Sequence, residues 1–158
     1  LGCPDIIVNS AGIFKFKKLN NYSINDIIST FNINIISPIL ITKFFIKFMN
    51  KKKSGTIINI CSSSSYSGGG TFGHTIYTST KHALLGFSRA LDEEFRENNI
   101  RIGTVSPAGV KSNMTKNRKD INKNSLISLK QVTDSIIYLM TETGNGIVYE
   151  MRLWRKNR

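Results

Sequence analysis

Short runs rich in β-branched residues alternate with longer segments of helical period along the whole chain. Four runs read as strands, at about Asp5 to Asn9, Thr56 to Cys61, Ile100 to Val105 and Ile147 to Leu153, each flanked by Gly, Pro, Asn or Ser. The segments between them carry helix start signals. Ser23-Ile24-Asn25-Asp26 reads as a capping box opening a helix to about Asn34, and Ser37-Pro38 starts or kinks the next, ending near Asn50. A long amphipathic helix runs from about Thr75 to Asn98. A second capping box, Ser128-Leu129-Lys130-Gln131, opens a helix striped by Val132, Ile136, Leu139 and Met140 that stops before Gly144. Strands alternating with helices predict an α/β fold, a doubly wound parallel sheet with helices on both faces. Such sheets bind ligands at the carboxyl ends of their strands. Asn9, Ser62 and Pro107 fall there.

The chemistry concentrates at Tyr77-Thr78-Ser79-Thr80-Lys81, where a phenol and an ammonium four positions apart share one helix face. Tyrosine is a poor proton donor near neutrality, and a nearby cation favours its ionised form. The pair is therefore expected to lower the phenol's pKa and to run acid and base chemistry. By itself the spacing is also that of a solvated helix face. Its surroundings add weight: the run Gly55 to Cys61 leads directly into Ser62-Ser63-Ser64-Ser65, and a glycine loop, Tyr66 to Gly73, leads into the helix. Pro38 has no amide hydrogen to give the carbonyl of Asn34, so that carbonyl loses its helical partner.

Strand, serine cluster, glycine loop and YxxxK helix together resemble the core of the short-chain dehydrogenase/reductase family. Asp5-Ile6-Ile7-Val8-Asn9-Ser10-Ala11-Gly12 resembles its strand ending in NNAG, with Ser10 for the second Asn; Phe31-Asn32-Ile33-Asn34 resembles the stretch bearing its helix asparagine. Ser106-Pro107-Ala108-Gly109-Val110-Lys111-Ser112 resembles its proline-glycine turn, with Ala108 where glycine is usual.

The resemblance implies a Rossmann-like NAD(P)-binding domain and reversible hydride transfer between a nicotinamide and a carbonyl or secondary alcohol. It implies Tyr77 as proton donor and Lys81 as its partner and ribose ligand. A serine orients the substrate, and Asn34 holds a relay water through its carbonyl. Asn9, Ala11 and Gly12 would approach the adenosine side of NAD or NADP, and Pro107, Val110 and Ser112 would line the nicotinamide. Strand alignment points to Ser62, and the family's usual gap of about thirteen residues to Tyr77 points to Ser64; Ser62 is preferred, because a longer glycine loop absorbs the difference. His74 and His82 read as helix flanks. The Lys/Asn-rich residues 111–127 correspond to the substrate lid.

The family's opening strand, TGxxxGxG turn and helix, which receive the pyrophosphate, have no counterpart in these 158 residues. Gly68-Gly69-Gly70 lies elsewhere in the order. The chain opens at Leu1 with no initiator methionine, so residues 1–158 read as the carboxy-terminal part of a longer protein, with the family's first three strands missing. Alone, they are expected to hold the cofactor weakly.

The net charge of +12 is spread among Lys, Asn and Ile over the whole length, which is a compositional bias rather than a nucleic-acid face. Lys51-Lys52-Lys53 reads as a helix cap, and Arg152 to Arg158 as a tail. The apolar stretch Ile33 to Met49 is broken by Lys43 and Lys47 and falls short of a membrane span. Cys3 and Cys61 offer no disulfide framework, and Cys61 reads as a core residue. No metal site is expected. The partner is a small-molecule carbonyl or alcohol, the setting cytoplasmic, and the complete protein, by the resemblance, a homodimer or homotetramer. Two other readings stand beside this one: a non-catalytic module of the same half-sheet, and a nucleotide-sugar epimerase, which also uses YxxxK.

Overall fold

The computed structural model describes residues 2–66, 72–118, 121–142 and 146–156. Four parallel strands, β1 (Ile6–Asn9), β2 (Gly55–Ile60), β3 (Ile100–Pro107) and β4 (Glu150–Leu153), lie in chain order in one sheet. Asn9 pairs with Asn59, Ile58 with Gly103, and Val105 with Met151. Parallel neighbours require crossovers, and the helices supply them. Those helices are α1 (Ile24–Phe31), α2 (Ser37–Lys52), α3 (Thr75–Phe95), α4 (Asn113–Lys116) and α5 (Leu129–Thr141).

Successive strand residues face opposite sides of the sheet, so Ile57 and Ile58, both fully buried, enter different cores. On one face Ile7, Ile57, Ile100 and Ile102 pack with Met49 of α2 and Leu91 of α3; on the other, Ile58 and Val105 pack with Leu139 of α5. Both capping boxes form, at Ser23 and Ser128. At the outer strand β1 the alternation is incomplete: Ile7 and Asn9 are buried, while Ile6 and Val8 stay 37% and 38% exposed.

The expected break between the first two helices is not there. Asn32–Ile36 form a wide π turn that joins α1 to α2 as one continuous helix, Ile24–Lys52, of 29 residues. Ser37 donates to the Asn32 carbonyl from its N–H and, at 2.8 Å, from its hydroxyl. The wider turn absorbs the missing Pro38 donor without ending the helix. By length and composition alone this helix is apolar enough to cross a membrane, a test that the core helix of a soluble protein also passes. Lys51 and Lys52 close its last turn before Lys53 in the left-handed region.

Residues 111–127 are more structured than a plain loop. They hold α4, a 3-10 turn at Lys123–Ser125, and a bridge between Val110 and Ile127. Arg152 belongs to β4 rather than to a tail, and its guanidinium stacks 3.6 Å from the Tyr66 ring centre.

Candidate active site

β2 ends at Ile60, and the chain turns through Ser62 into the 3-10 turn Ser63–Ser65. Ser62 caps that turn, its Oγ accepting from the Ser64 N–H at 3.1 Å. The same residue faces the Tyr77 phenol in the first turn of α3 closely enough to pull its pKa down. Ser64 is not part of that pair, and Ser65 Oγ donates to the Lys81 carbonyl at 2.9 Å instead, tying the serine turn to the helix.

Lys81 lies one helical turn beyond Tyr77 and is buried. Its ammonium donates to the Ile60 carbonyl at 2.6 Å and sits 5.8 Å from the centre of the Tyr77 ring. Burial pushes the lysine pKa down. Burial also pushes the phenol of Tyr77 up, against opposing pulls from Ser62 and from Arg118. The expected depression by Lys81 does not appear, because desolvation of the phenolate outweighs every favourable contact.

Asn34 sits in the π turn, fully buried. Its Oδ1 accepts from the Ile13 N–H at 2.8 Å, and its Nδ2 donates to the Ile13 carbonyl at 2.9 Å and to Thr80 Oγ1 at 3.1 Å. Thr80 in turn donates to the Tyr77 carbonyl at 2.8 Å. The asparagine thus fastens the segment after β1 to the helix carrying the Tyr/Lys pair. Gly12 stands next to this knot: a Cβ there would lie 3.5 Å from Asn34 Oδ1 and 3.8 Å from Lys81 Nζ. Lacking one, it leaves the ammonium approachable from the segment after β1.

Asn9 and Ala11 lie at the end of β1. The Asn9 side chain is committed to the sheet, donating to Asn59 Oδ1 at 2.8 Å, and Asn59 donates to Ser88 Oγ at 2.8 Å. Pro107 ends β3, and the Ala108 N–H donates to the Leu153 carbonyl at 2.8 Å. Val110 and Ser112 follow, both held by Thr115, which donates to the Val110 carbonyl at 2.6 Å and accepts from the Ser112 N–H at 3.1 Å. Cys61 is buried, its thiol pushed up to about 12 chiefly by desolvation, in keeping with a core role. Gly68-Gly69-Gly70 lies outside the described residues.

Sequence reasoning missed an aromatic and cationic cluster around Tyr77. Phe14 meets the tyrosine edge to face at 5.0 Å, and His74 packs 4.7 Å from Phe14. Arg118, just after α4, lies over Phe14 at 4.9 Å and Phe16 at 5.2 Å. Its Nη2 is 3.3 Å from His74 Nε2. Gly73 permits this: at φ +75°, a Cβ there would lie 2.8 Å from the Phe16 ring.

A family model described as short chain dehydrogenase matches residues 1–123. The chain belongs to the short-chain dehydrogenase family. Among curated relatives, carbonyl reductase family member 4 of Xenopus laevis is 33% identical over 95% of the chain and 66% of its own length. The human 3-oxoacyl-[acyl-carrier-protein] reductase is 31% identical over 94% and 60%. This short-chain dehydrogenase chain therefore spans just under two thirds of the relatives it matches. Among solved structures, ElxO with NADP bound superposes with a TM-score of 0.84 at 28% identity, covering 94% of this chain and 65% of that one. A 4-hydroxyisoleucine dehydrogenase complexed with NADH shares the fold, with a TM-score of 0.82 at 24% identity over 96% and 67%.

Proposed function

We propose that the full-length protein is an NAD(P)-dependent oxidoreductase that interconverts a carbonyl and a secondary alcohol on a small molecule. The observation that carries this reading is the buried Lys81 ammonium, donating to the Ile60 carbonyl at 2.6 Å and 5.8 Å from the centre of the Tyr77 ring, with Ser62 at the adjoining strand end. The site fits the nicotinamide end of a dinucleotide. Lys81 would hold the ribose, approached past the bare Cα of Gly12; Asn9, Ala11 and Gly12 would border the adenosine side, and Pro107, Val110 and Ser112 the nicotinamide. Bound nicotinamide supplies or accepts the hydride.

The chain's own groups handle the proton. With its pKa raised by burial, the Tyr77 phenol is neutral at physiological pH and available to protonate the oxygen of a carbonyl as negative charge develops there. Such an acid contributes about 10²–10⁴-fold. Ser62 orients that oxygen. The phenol's proton would be replaced through a water on the main-chain carbonyl of Asn34, which has no partner at residue 38 because proline has no N–H. Lys81 holds positive charge close to the phenolate left behind.

Two features bear on partners. Leu40, Phe44 and Phe48 stand on the outer surface of α2, 57%, 55% and 41% exposed, which supports assembly of copies through the long helices into a homodimer or homotetramer. The dispersed lysines and the ordinary balance of free cysteines favour a cytoplasmic enzyme of small metabolites over a nucleic-acid or membrane ligand.

The deciding experiment is nicotinamide-dependent turnover by the full-length protein and its Tyr77→Phe variant. A fall of about 10² or more in kcat/KM is expected. Near-normal turnover by the variant removes Tyr77 from the mechanism.

A further inference from the structure

Four side chains that the reaction does not use, those of Tyr66, Arg89, Glu150 and Arg152, meet at the outer strand of the sheet, and one of them belongs to the serine turn. Tyr66 closes the 3-10 turn Ser63–Ser65, its N–H donating to the Ser63 carbonyl at 3.1 Å. Its hydroxyl reaches out of the turn and donates to Glu150 of β4 at 2.8 Å. Arg89 of α3 grips the same carboxylate twice, at 2.6 and 3.1 Å, and the Arg152 guanidinium lies 3.6 Å from the centre of the Tyr66 ring. The phenol is thus held at its tip by a carboxylate and on its face by a cation.

An ion pair as exposed as Arg89–Glu150 adds little stability, so the larger effect of the cluster is on direction. The turn it holds has three residues, and each end is fixed separately. At the start, the Cys61 N–H donates to the Val105 carbonyl at 2.8 Å and keeps the chain on the sheet up to Ser62. At the far end, Ser65 Oγ donates to the Lys81 carbonyl at 2.9 Å and Tyr66 is bolted to Glu150. Between the ends, the Ser65 N–H donates to the Ser62 carbonyl at 2.9 Å and the Ser64 N–H to Ser62 Oγ at 3.1 Å. A displacement of Tyr66 is therefore passed to the Ser62 hydroxyl through one turn of backbone.

We propose that Glu150, acting through Tyr66, is a positioning residue that sets the aim of the Ser62 hydroxyl from the last strand of the sheet. Neither residue touches the reacting atoms. Arg89 fixes the carboxylate, the carboxylate fixes the phenol, and the phenol fixes the end of the turn.

The kinetic consequence rests on the oxidoreductase reading, and a titration that needs no turnover separates the two. Full-length wild type is compared with Tyr66→Phe, Glu150→Ala, Glu150→Gln and Ser62→Ala/Tyr66→Phe, using NADH or NADPH with 2,3-butanedione, acetoacetate and 4-nitroacetophenone as carbonyl probes. Tyr66→Phe and Glu150→Ala should each lower kcat about tenfold and leave the KM for the nicotinamide near the wild-type value. Glu150→Gln keeps an oxygen for the Tyr66 hydroxyl and should keep part of the rate. Adding Tyr66→Phe to Ser62→Ala should cost nothing further, because the two act in one chain. Tyr77 ionisation is read as the ultraviolet difference between each protein and its own Tyr77→Phe counterpart. Ser62 pulls that value down, so it should move up in Tyr66→Phe and no further in the Ser62→Ala/Tyr66→Phe protein. Glu142→Ala is the control for simple destabilisation: it breaks the Arg101–Glu142 pair, 3.0 Å, at the start of β3, and should melt earlier with kcat and the Tyr77 titration unchanged. Wild-type kcat and an unmoved Tyr77 titration in Tyr66→Phe, or losses that add in full to those of Ser62→Ala, would overturn the proposal. Absence of turnover from every protein, wild type included, would count against the oxidoreductase reading, while the titration would still decide the positioning.

Discussion

The side-chain amide of Asn34 closes a two-bond ring with the backbone of Ile13, accepting from its N–H at 2.8 Å and donating to its carbonyl at 2.9 Å. A buried amide satisfied in this way works as a clamp. It fixes the segment after β1 against the helical face bearing Thr80, Tyr77 and Lys81. Asn34→Ala would leave the Ile13 groups unpaired, at a cost of about 1–3 kcal/mol. We expect a lower melting temperature together with reduced turnover. Alanine keeps the main-chain carbonyl, so the variant tests the clamp alone; one as stable and as active as wild type would count against it.

Of the serine substitutions, Ser62→Ala should damage turnover far more than Ser64→Ala. Ser62 sits at the end of β2 and lowers the Tyr77 pKa, whereas Ser64 gives its backbone N–H to Ser62, which alanine keeps. Steady-state kinetics on the two variants of the full-length protein decide this. The reverse order of damage would mean that the spacing to Tyr77 matters more than the strand register.

Without cofactor, Tyr77 should ionise above the ordinary tyrosine value of 10.0, because burial raises it. The native state then holds a proton that the unfolded chain has given up, over the window from that ordinary value to the raised one. Stability from this group is fully present below the window and is lost as pH rises through it. Ultraviolet difference titration of wild type against Tyr77→Phe reads the value directly. In Ser62→Ala it should move further up, since Ser62 opposes the rise.

Glu150 holds β4 against α3 and the serine turn, accepting from Arg89 at 2.6 and 3.1 Å and from the Tyr66 hydroxyl at 2.8 Å. The Arg89 hydrogen bond leads in drawing its pKa below the ordinary 4.5. Its contribution is therefore present above that value and is lost as pH falls through the lowered one. Arg89 is half exposed, so solvent screening keeps the effect near 1 kcal/mol. Glu150→Gln should melt earlier than wild type at neutral pH, with the difference closing in acid. A constant gap across pH would assign the loss to packing.

The order of elements was legible because the signals are local: β-branched runs for strands, serine boxes at Ser23 and Ser128 for helix starts. The place of Ser62 at the end of β2 was legible for a similar reason, since a strand end fixes a direction in space. The π turn was not. Proline at 38 announces a lost hydrogen bond, but whether a helix ends or widens there depends on what holds Asn34, and that partner, Ile13, lies far upstream. The Arg118 cluster was invisible because its members come from three segments with no shared spacing. His74 read as a mere helix flank, and only folding brings it to Arg118. The balance at Tyr77 also escaped the sequence, which displays the charge of Lys81 but not the depth at which phenol and ammonium are buried.

The π turn carries a consequence for how this chain tolerates length changes. An α-helix advances about 100° per residue. The wide turn at Asn32–Ile36 acts as a phase setting between two halves of one helix: upstream, Thr30 points inward, and downstream, Thr42 and Met49 do, with Asn34 at the junction. Deleting one residue of the turn would let it close to an ordinary α-helix with α1 and α2 nearly in their present phase, because the wide turn carries about one residue more than an α turn, but Asn34 would no longer be set out toward Ile13. Met49 would stay on the sheet and Asn34 would leave Ile13. A neutral-looking deletion on a helix would thus be read out as an undone clamp, although no residue of the Tyr/Lys pair had been touched.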